Sequence, residues 1–312
     1  MKSLGWHGTC ISRIEATIHH VEGRFPKSIE KEGRIMRGIR IRALHHGNMR
    51  TDIELLVTGH PHYRLTRTNP EKRKIWCQVP SFSYVIEHPD GNMVFDASIN
   101  PHWEKEWLPA YQELAPYEEY TPDQLFENSL KAAGYGPEDI KYVFLSHLHT
   151  DHCGNARLFK GTHVQVLVHE KEYQGVANLT EDENFFLRCD YDVSGLHFAP
   201  LPGDMEIMKD VYAVSLPGHT WGTMGLMIHL EHSGTVILPS DAIYRKESYD
   251  LSHPSMITPD PETWRKSLNK LKLLARNYDA TIVPGHDHSL CHEGESPLRN
   301  EETLRLHPAL YD

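Results

Sequence analysis

Four potential metal ligands stand within six residues, directly after an apolar segment. KYVFLS predicts a short buried strand, and HLHTDH follows it at once. In an extended chain, residues two apart point to the same side, so His147 and His149 can face one metal ion. A bend after Thr150 would turn Asp151 and His152 toward a second ion beside the first. The segment therefore predicts a two-metal site at a strand end, with a His-rich surface loop as the alternative.

Three further candidate ligands follow later apolar strands. VYAVSLPGH leads into His219, TVILPSDAIY contains Asp241, and ATIVPGH ends at His286. A glycine before each of the two histidines lets the backbone turn sharply there. A carboxylate with two oxygens, such as Asp241, can bridge ions roughly 3.5 Å apart. Each of these residues alone could be structural, but together they complete the ligand set that two metals need.

Composition and charge narrow the class of protein. The 312 residues carry a formal net charge of -11, which opposes binding to nucleic acid and favours a small-molecule partner. The five cysteines are irregularly spaced and do not suggest a disulfide framework. The N-terminus lacks the apolar core of a signal peptide, and no uncharged apolar stretch reaches membrane-spanning length. We therefore expect a cytoplasmic protein with no membrane partner.

The first part of the chain differs in charge from the rest. We divide the sequence into a small basic extension, residues 1–50, and a main domain, residues 51–312. Basic residues concentrate in the extension at Lys31, Arg34, Arg37, Arg40, Arg42 and Arg50. The alternation in GIRIRAL is typical of a solvated strand pair. An arm that covers the pocket or forms a homodimer is the other interpretation.

Local patterns predict several further elements. DIELLVTG reads as a strand, and SFSYVIEH and MVFDAS read as two strands joined by a turn at Asp90–Gly91. Thr121 opens a helix in a capping-box pattern with Gln124, and Gly134 ends it. Asp260 caps a second helix with an apolar face. ATIVPGH is the last predicted strand.

The motifs SHLHTDHCGN, PGHTWG, SDAIY and PGHDH resemble those of the metallo-β-lactamase superfamily, and their combination is most similar to the N-acyl homoserine lactonase family. The resemblance covers about residues 53–290. It implies an α/β fold, the αββα sandwich of two mixed sheets flanked by helices, here with an N-terminal extension longer than the family usually has. It also implies two divalent metal ions per chain, usually zinc, while iron, cobalt and manganese suit the same ligands. The implied ligands are His147, His149 and His219 for one ion, Asp151, His152 and His286 for the other, and Asp241 as the bridge.

Two residues outside the ligand set bear on the resemblance. Tyr244 lies three residues after Asp241, where lactonases of this family carry a tyrosine that contacts the substrate carbonyl or leaving oxygen. An aromatic residue packed at a strand exit is the alternative. Asp96 lies in DAS, where the superfamily often has D-T-G, and we expect it to orient the site.

The resemblance implies a lactonase that opens the ring of N-acyl homoserine lactones and so degrades quorum-sensing signals. A hydroxide bridging the two ions would attack the carbonyl, because metal coordination lowers the pKa of water from 15.7 toward about 7. Tyr244 would donate a hydrogen bond, and Asp151 would carry the proton to the leaving alkoxide. Another ester or thioester hydrolase of the glyoxalase II type remains an alternative. A metal-stabilised binding protein without activity is another.

The sequence leaves the substrate pocket undefined. Phe185, Phe186, Tyr191 and Phe198 lie in a region that supplies loops, and each suits a pocket wall as well as the core. Acyl-chain preference is therefore open.

Overall fold

A computed structural model describes residues 38–61, 65–68, 70 and 75–288, with the backbone of 309–311. The strands are β1 (Arg40–Asp52), β2 (Trp76–Glu87), β3 (Asn92–Phe95), β4 (Tyr117–Glu119), β5 (Ile140–Phe144), β6 (Gln165–His169), β7 (His197–Leu201), β8 (Met205–Met208), β9 (Val211–Ser215), β10 (Met224–Leu230), β11 (Gly234–Leu238), β12 (Thr281–Ile282) and β13 (Ala309–Tyr311). The helices are α1 (Ile53–Leu56), α2 (Trp103–Glu106), α3 (Pro109–Leu114), α4 (Phe126–Ala132), α5 (Thr150–Cys153), α6 (Glu170–Ala177), α7 (Arg188–Tyr191), α8 (Lys246–Leu251) and α9 (Pro261–Asn277).

The strands form two mixed sheets. The larger sheet has the order β13-β1-β2-β3-β5-β6-β7, with β4 paired to β1. Its β3, β5, β6 and β7 are parallel, whereas β1, β2 and β3 are antiparallel. The smaller sheet has the order β12-β11-β10-β9-β8, and only the β11 and β12 pair is parallel. Parallel pairing brings the carboxyl ends of neighbouring strands to one edge, where functional groups can gather.

The sheets pack face to face and helices cover their outer faces. Side chains such as Phe95 and Phe144 of the larger sheet meet Leu226 of the smaller sheet in one buried cluster. Phe126 of α4 packs on the outer face of the larger sheet, and Trp264 of α9 packs on the outer face of the smaller sheet. Strands buried on both faces need apolar residues throughout, which explains runs such as β11. The predicted αββα sandwich is confirmed.

β1 is a full member of the larger sheet. Its residues pair with β2 from Arg40↔Glu87 to Asp52↔Trp76. The strand predicted from GIRIRAL is therefore present, and it continues past the division placed at residue 50. Residues 1–37 lie outside the described residues, so an arm formed by them stays a prediction.

The segment after β1 is a helix, and the prediction of a strand over DIELLVTG was wrong. Asp52 Oδ1 accepts a hydrogen bond from the backbone N–H of Glu54 at 3.1 Å and so caps α1. Ile53, Leu55 and Leu56 are buried by this single turn. The cap outweighs the β-propensity of the apolar residues, because an orphan N–H at a helix start needs an acceptor.

The two predicted helices differ in how closely they match the structure. The capping box at Thr121 forms, since its N–H donates to Gln124 Oε1 at 2.9 Å. The first turn is a 3-10 turn, and extended backbone at Leu125 separates it from α4. The predicted cap of α9 is confirmed, because Asp260 Oδ1 accepts from Thr263 N at 2.9 Å. ATIVPGH contributes only the short strand β12, and it is not the last strand, because β13 follows it.

In the part of the chain that the structure describes, no helix combines the length and the apolar character needed to cross a bilayer.

Candidate metal centre

All seven ligands predicted from the sequence come together at strand ends, in two groups. The first group is His147, His149, His219 and Asp241; the second is Asp151, His152, Asp241 and His286. Within each group the nitrogen and oxygen atoms lie within 4.8 Å of one another. Asp241 belongs to both groups.

Three imidazoles converge in the first group. His149 Nδ1 lies 3.1 Å from His147 Nε2 and 3.1 Å from His219 Nε2. The two Nε2 atoms are 3.3 Å apart. Asp241 Oδ2 completes the group at 3.4 Å from His219 Nε2 and 3.7 Å from His147 Nε2. All four side chains are buried.

The second group uses the other oxygen of the shared carboxylate. Asp241 Oδ1 lies 3.0 Å from His286 Nε2 and 3.3 Å from His152 Nε2. Asp151 Oδ2 lies 3.5 Å from His152 Nε2 and 3.7 Å from His286 Nε2. Asp151 is the only member with a partly exposed side chain, at 15%. Asp241 therefore directs one oxygen toward each group.

Local backbone structure divides the HLHTDH segment between the groups. After β5, His147 and His149 direct ring nitrogens to the same group, as the spacing predicted. α5 begins at Thr150, with His149 as its N-cap residue. This change from extended to helical backbone turns Asp151 and His152 toward the second group.

The two glycines before His219 and His286 act differently. Gly218 has φ +128, and a Cβ there would lie 2.3 Å from the backbone nitrogen of Trp264. This agrees with the predicted sharp turn. The φ angle of Gly285, unlike that of Gly218, is not positive. A Cβ at Gly285 would instead lie 2.9 Å from the carbonyl carbon of Ser240, so this residue allows close approach to the Asp241 turn.

Asp96 contacts the second group through the ring nitrogen of His152 that faces away from the other candidate ligands. Its Oδ2 lies 2.8 Å from His152 Nδ1, and its Oδ1 accepts from the backbone N–H of Ser146 at 2.7 Å. Ser146 Oγ also donates to Asp96 Oδ2 at 2.9 Å. A carboxylate on Nδ1 fixes the ring orientation and leaves Nε2 free for a metal. Asp96 lies where the sequence predicted an orienting residue.

A buried network behind Thr150 was not predicted. Thr150 Oγ1 donates to Asp190 Oδ2 at 2.5 Å, and its backbone N–H donates to Phe185 O at 3.0 Å. Asp190 also accepts from Arg157 at 2.9 Å and from Asn100 at 3.1 Å. Burial raises the pKa of Asp190 to about 6, although these donors lower it. The network holds the loop before α7 against the ligand-bearing turn.

Burial and neighbouring charges shift the pKa values of the two groups in different directions. Burial lowers the pKa of His149 and of His219 to about 3, so both rings are neutral. Burial also lowers the pKa of His152, but nearby carboxylates, Asp241 first, raise it well above its ordinary value. Burial raises the pKa of Asp241, but His152 and His286 bring it well below its ordinary range. An ionised carboxylate and neutral imidazoles are the forms that bind metals.

The donor set fits two divalent metal ions. Among the described residues, both oxygens of Asp241 and the Nε2 atoms of His152 and His286 are buried and face one another without hydrogen bonds of good geometry. Buried polar atoms are costly to leave unpaired, so atoms that converge without hydrogen bonds indicate a bound cation. Imidazole nitrogen and carboxylate oxygen suit zinc and related divalent ions.

Comparison with known proteins agrees with this geometry. Residues 78–286 match the family model described as the metallo-beta-lactamase superfamily. The chain belongs to the metallo-beta-lactamase superfamily. Among relatives in it, N-acyl homoserine lactonase AiiA of Bacillus thuringiensis subsp. kurstaki is 29% identical over 237 residues, 75% of this chain and 85% of that protein. N-acyl homoserine lactonase AttM of Rhizobium radiobacter is 31% identical over 229 residues, 67% of this chain and 82% of that protein.

A solved structure overlaps most of the fold. It is an N-acyl homoserine lactone hydrolase with the product N-hexanoyl-L-homoserine bound at its catalytic metal centre. The TM-score is 0.69 at 26% identity, and the match covers 81% of this chain and 94% of that chain.

Tyr244 lies between the two groups in this metallo-beta-lactamase-superfamily chain. Its ring centroid is 5.4 Å from that of His219 and 5.1 Å from that of His286. Burial raises the pKa of Tyr244 well above its ordinary value, and Asp241 acts in the same direction. The hydroxyl therefore stays protonated and able to donate a hydrogen bond. Tyr244 also packs in a buried cluster with Leu187, so it has a structural contact as well.

A small cavity with a mainly apolar lining adjoins the two groups of candidate ligands. It is lined by His149, Thr150, Asp151 and Tyr244 at the ligand side and otherwise by Met49, Thr51, Leu55, Leu56, Val79, Trp107, Ala115, Phe185 and Ile257. Phe185 stacks on Tyr111 with ring centroids 4.4 Å apart. Phe186 and Tyr191 are core residues, and Phe198 packs against the same core. Of the four aromatic residues left open by the sequence, Phe185 is the one in the wall of this cavity.

Proposed function

We propose that this chain is a dinuclear metal-dependent lactonase that hydrolyses N-acyl homoserine lactones and thereby degrades quorum-sensing signals. The observation that carries the proposal is the position of Asp241, which offers one oxygen to each group beside an apolar cavity. Relatives named N-acyl homoserine lactonase support the substrate class. The similar solved structure with N-hexanoyl-L-homoserine at its metal centre supports the same class.

We assign His147, His149 and His219 to one ion and Asp151, His152 and His286 to the other, with Asp241 bridging. When bound, two such ions supply a hydroxide nucleophile at neutral pH and polarise the lactone carbonyl. Zinc is the metal we propose, because imidazole and carboxylate ligands around a buried site suit it.

Residues of this chain then place and protonate the substrate. Tyr244, at the boundary of the two groups and the cavity, donates a hydrogen bond to the carbonyl or leaving oxygen. Water adds to the carbonyl carbon and the ring C–O bond breaks. Asp151, which lines the cavity and is partly exposed, carries the proton to the leaving oxygen. The product is the open N-acyl homoserine, a hydroxy acid.

The lining of the cavity matches the acyl chain of such a substrate in its apolar character. Its wall away from the ligands consists mainly of apolar side chains such as Leu55, Leu56 and Trp107. Burying an acyl chain there contributes roughly 0.8 kcal/mol per methylene group. Met49 of β1 also belongs to the wall.

A substrate panel with a chelator control tests the function. We expect hydrolysis of N-acyl homoserine lactones over a range of acyl lengths, with activity lost on chelation and restored by added zinc. Faster turnover of a simple ester or a glutathione thioester would favour the glyoxalase II-type alternative. Metal binding with no turnover of any substrate would favour a metal-stabilised binding protein.

Location and assembly are also proposed. Cys77, Cys153 and Cys189 are free, which suits a reducing cytoplasm. A homodimer formed through the N-terminal extension would be recognised by the mass of the full chain in solution.

A further inference from the structure

One buried carboxylate joins the two loops that carry the first group of ligands. Glu172 of α6 is fully buried. Its Oε1 accepts a hydrogen bond from the backbone N–H of Leu148 at 3.0 Å, and its Oε2 accepts from that of Gly222 at 2.9 Å. Leu148 lies between His147 and His149, and Gly222 follows His219 in the same loop.

The loop of His219 also packs closely on α6. A Cβ at Gly222 would lie 2.6 Å from the backbone nitrogen of Glu172. One turn further along the helix, a Cβ at Gly175 would lie 2.1 Å from Cε3 of Trp221. Both positions therefore require the absence of a side chain. α6 is a surface against which this loop is fixed.

The second group has separate supports. Asp96 holds His152, and His286 Nδ1 lies 2.9 Å from the carbonyl oxygen of Pro80. The hydrogen bonds described for Glu172 go to the loops of the first group. Each group is thus held by a different buried carboxylate, Glu172 for the first and Asp96 for the second.

We propose that Glu172 is a positioning residue for the first group, which sets the spacing of His147 and His149 relative to His219 and thereby the retention of the ion bound there. The second ion does not depend on it. This proposal rests on the proposed two-metal site but not on the lactone substrate.

The carboxylate is needed because both backbone groups that it contacts are donors, and Thr220, in the same loop as Gly222, also forms a hydrogen bond with it. A glutamine at position 172 offers one acceptor oxygen, and its NH₂ group would face a second backbone N–H. One of the two loops would then lose its hydrogen bond and leave a buried donor unpaired. Changes to groups that orient metal ligands typically lower metal affinity about 10- to 100-fold.

Metal retention tests the proposal directly. Full-length wild type, Glu172→Gln and Glu170→Gln are loaded with cobalt, dialysed against graded chelator and analysed for ions per chain. Glu170 is the matched control, because the same substitution in the same helix removes no hydrogen bond to either loop among the described residues. We expect Glu172→Gln to release one ion at about tenfold lower chelator than wild type and to keep the other, with Glu170→Gln behaving as wild type.

Cobalt absorption identifies which ion is lost. His149→Ala removes a ligand of the first group, so its remaining ion lies in the second group. The one-ion form of Glu172→Gln should give the same visible spectrum as His149→Ala. If the spectrum differs from that of His149→Ala, the lost ion came from the second group and the proposal is overturned. Release of both ions together would also overturn it, because Glu172 would then act on the stability of the whole fold.

The outcomes separate this proposal from the metal site itself. If wild type holds two ions and Glu172→Gln keeps both at the wild-type chelator concentration, Glu172 is not a positioning residue but the two-metal site stands. If wild type holds fewer than two ions, the site assignment fails and this proposal fails with it. Should Glu172→Gln not fold, Gly222→Ala displaces the same loop, and unchanged retention in that variant overturns the proposal.

Discussion

The ring of Tyr244 stacks on that of His286, with centroids 5.1 Å apart and an interplanar angle of 28°. The same tyrosine meets His219 edge-on at 5.4 Å and 80°. Its two histidine neighbours belong to different ligand groups. The ring is thereby held at the boundary between the groups, and Tyr244 lines the apolar cavity.

Tyr244→Phe should lower kcat on the best lactone by about tenfold or more, because one hydrogen bond to a developing charge is lost. Metal content should not change, since no ligand is altered. Steady-state kinetics and elemental analysis measure the two effects. Tyr142→Phe, a change in the core between the sheets, serves as the control. A rise in KM alone would indicate a binding contact, and no change in either constant would make Tyr244 a packing residue.

His149→Ala should reduce bound metal from about two ions to about one per chain, because the first group keeps only two imidazoles and the shared carboxylate. Lactone hydrolysis should fall by about 10²-fold or more. Elemental analysis of the purified protein, with thermal unfolding to verify the fold, measures the outcome. Full metal content in this variant would contradict the ligand assignment.

Ala115→Phe should shift substrate preference toward short acyl chains. Ala115 lines the cavity and is buried, so a phenyl ring there occupies space proposed for the end of the chain. We expect kcat/KM for long-chain lactones to fall about tenfold, equivalent to about 1.4 kcal/mol, while short-chain substrates are retained. Ala132→Phe on the exposed side of α4 is the control. An equal loss on all chain lengths would place the acyl chain elsewhere.

The stability of the protein should depend on Asp190 and pH. Burial raises the pKa of Asp190 to about 6 in the fold, above its ordinary value of about 3.9. A raised carboxyl pKa contributes stability below about pH 4, and this contribution is lost as the pH rises through 6. Between pH 4.5 and 7.5, wild type should therefore lose about 2 kcal/mol of unfolding free energy relative to Asp190→Asn. Denaturant unfolding of both proteins at matched pH measures the difference, and a constant difference would refute the assignment.

Two truncations should distinguish the role of β1 from that of the segment before it. Removal of residues 1–37 leaves every described strand in place. Removal of residues 1–50 deletes most of β1, which pairs with β2 along its length, and should abolish folding. Circular dichroism and oligomeric mass of the two shortened chains measure this. If the chain without residues 1–37 has the oligomeric state and the kinetic constants of wild type, the segment before β1 has no role in a dimer or in the pocket.

The proximity of the candidate ligands could be predicted because each is marked by local sequence. His147, His219 and His286 follow apolar strands directly, and a strand end is a place that a pattern of residues can identify. The two-residue spacing of His147 and His149 also follows from strand geometry alone. The grouping of all seven residues confirms that their proximity was predictable.

Supporting residues were missed because their partners are distant in sequence. Glu172 lies in the first turn of α6, where an acidic residue suits the helix dipole, and nothing local indicates its contacts with Leu148 and Gly222. Asp190 likewise reaches Thr150 across the fold. The error at residues 52–59 has a different cause, since a side-chain cap at Asp52 decided between strand and helix.

The pairing of β1 with β13 joins strands from opposite ends of the described chain, from Ile41↔Tyr311 to Ala43↔Ala309. During translation, β1 is made before every other described strand and β13 after all of them. The edge of β1 at Ile41–Ala43 therefore lacks this partner in the nascent chain until β13 leaves the ribosome. An unpaired strand edge is a template for pairing with other chains. Slower synthesis of the last segment should thus increase aggregation of newly made protein without changing the stability of the finished fold.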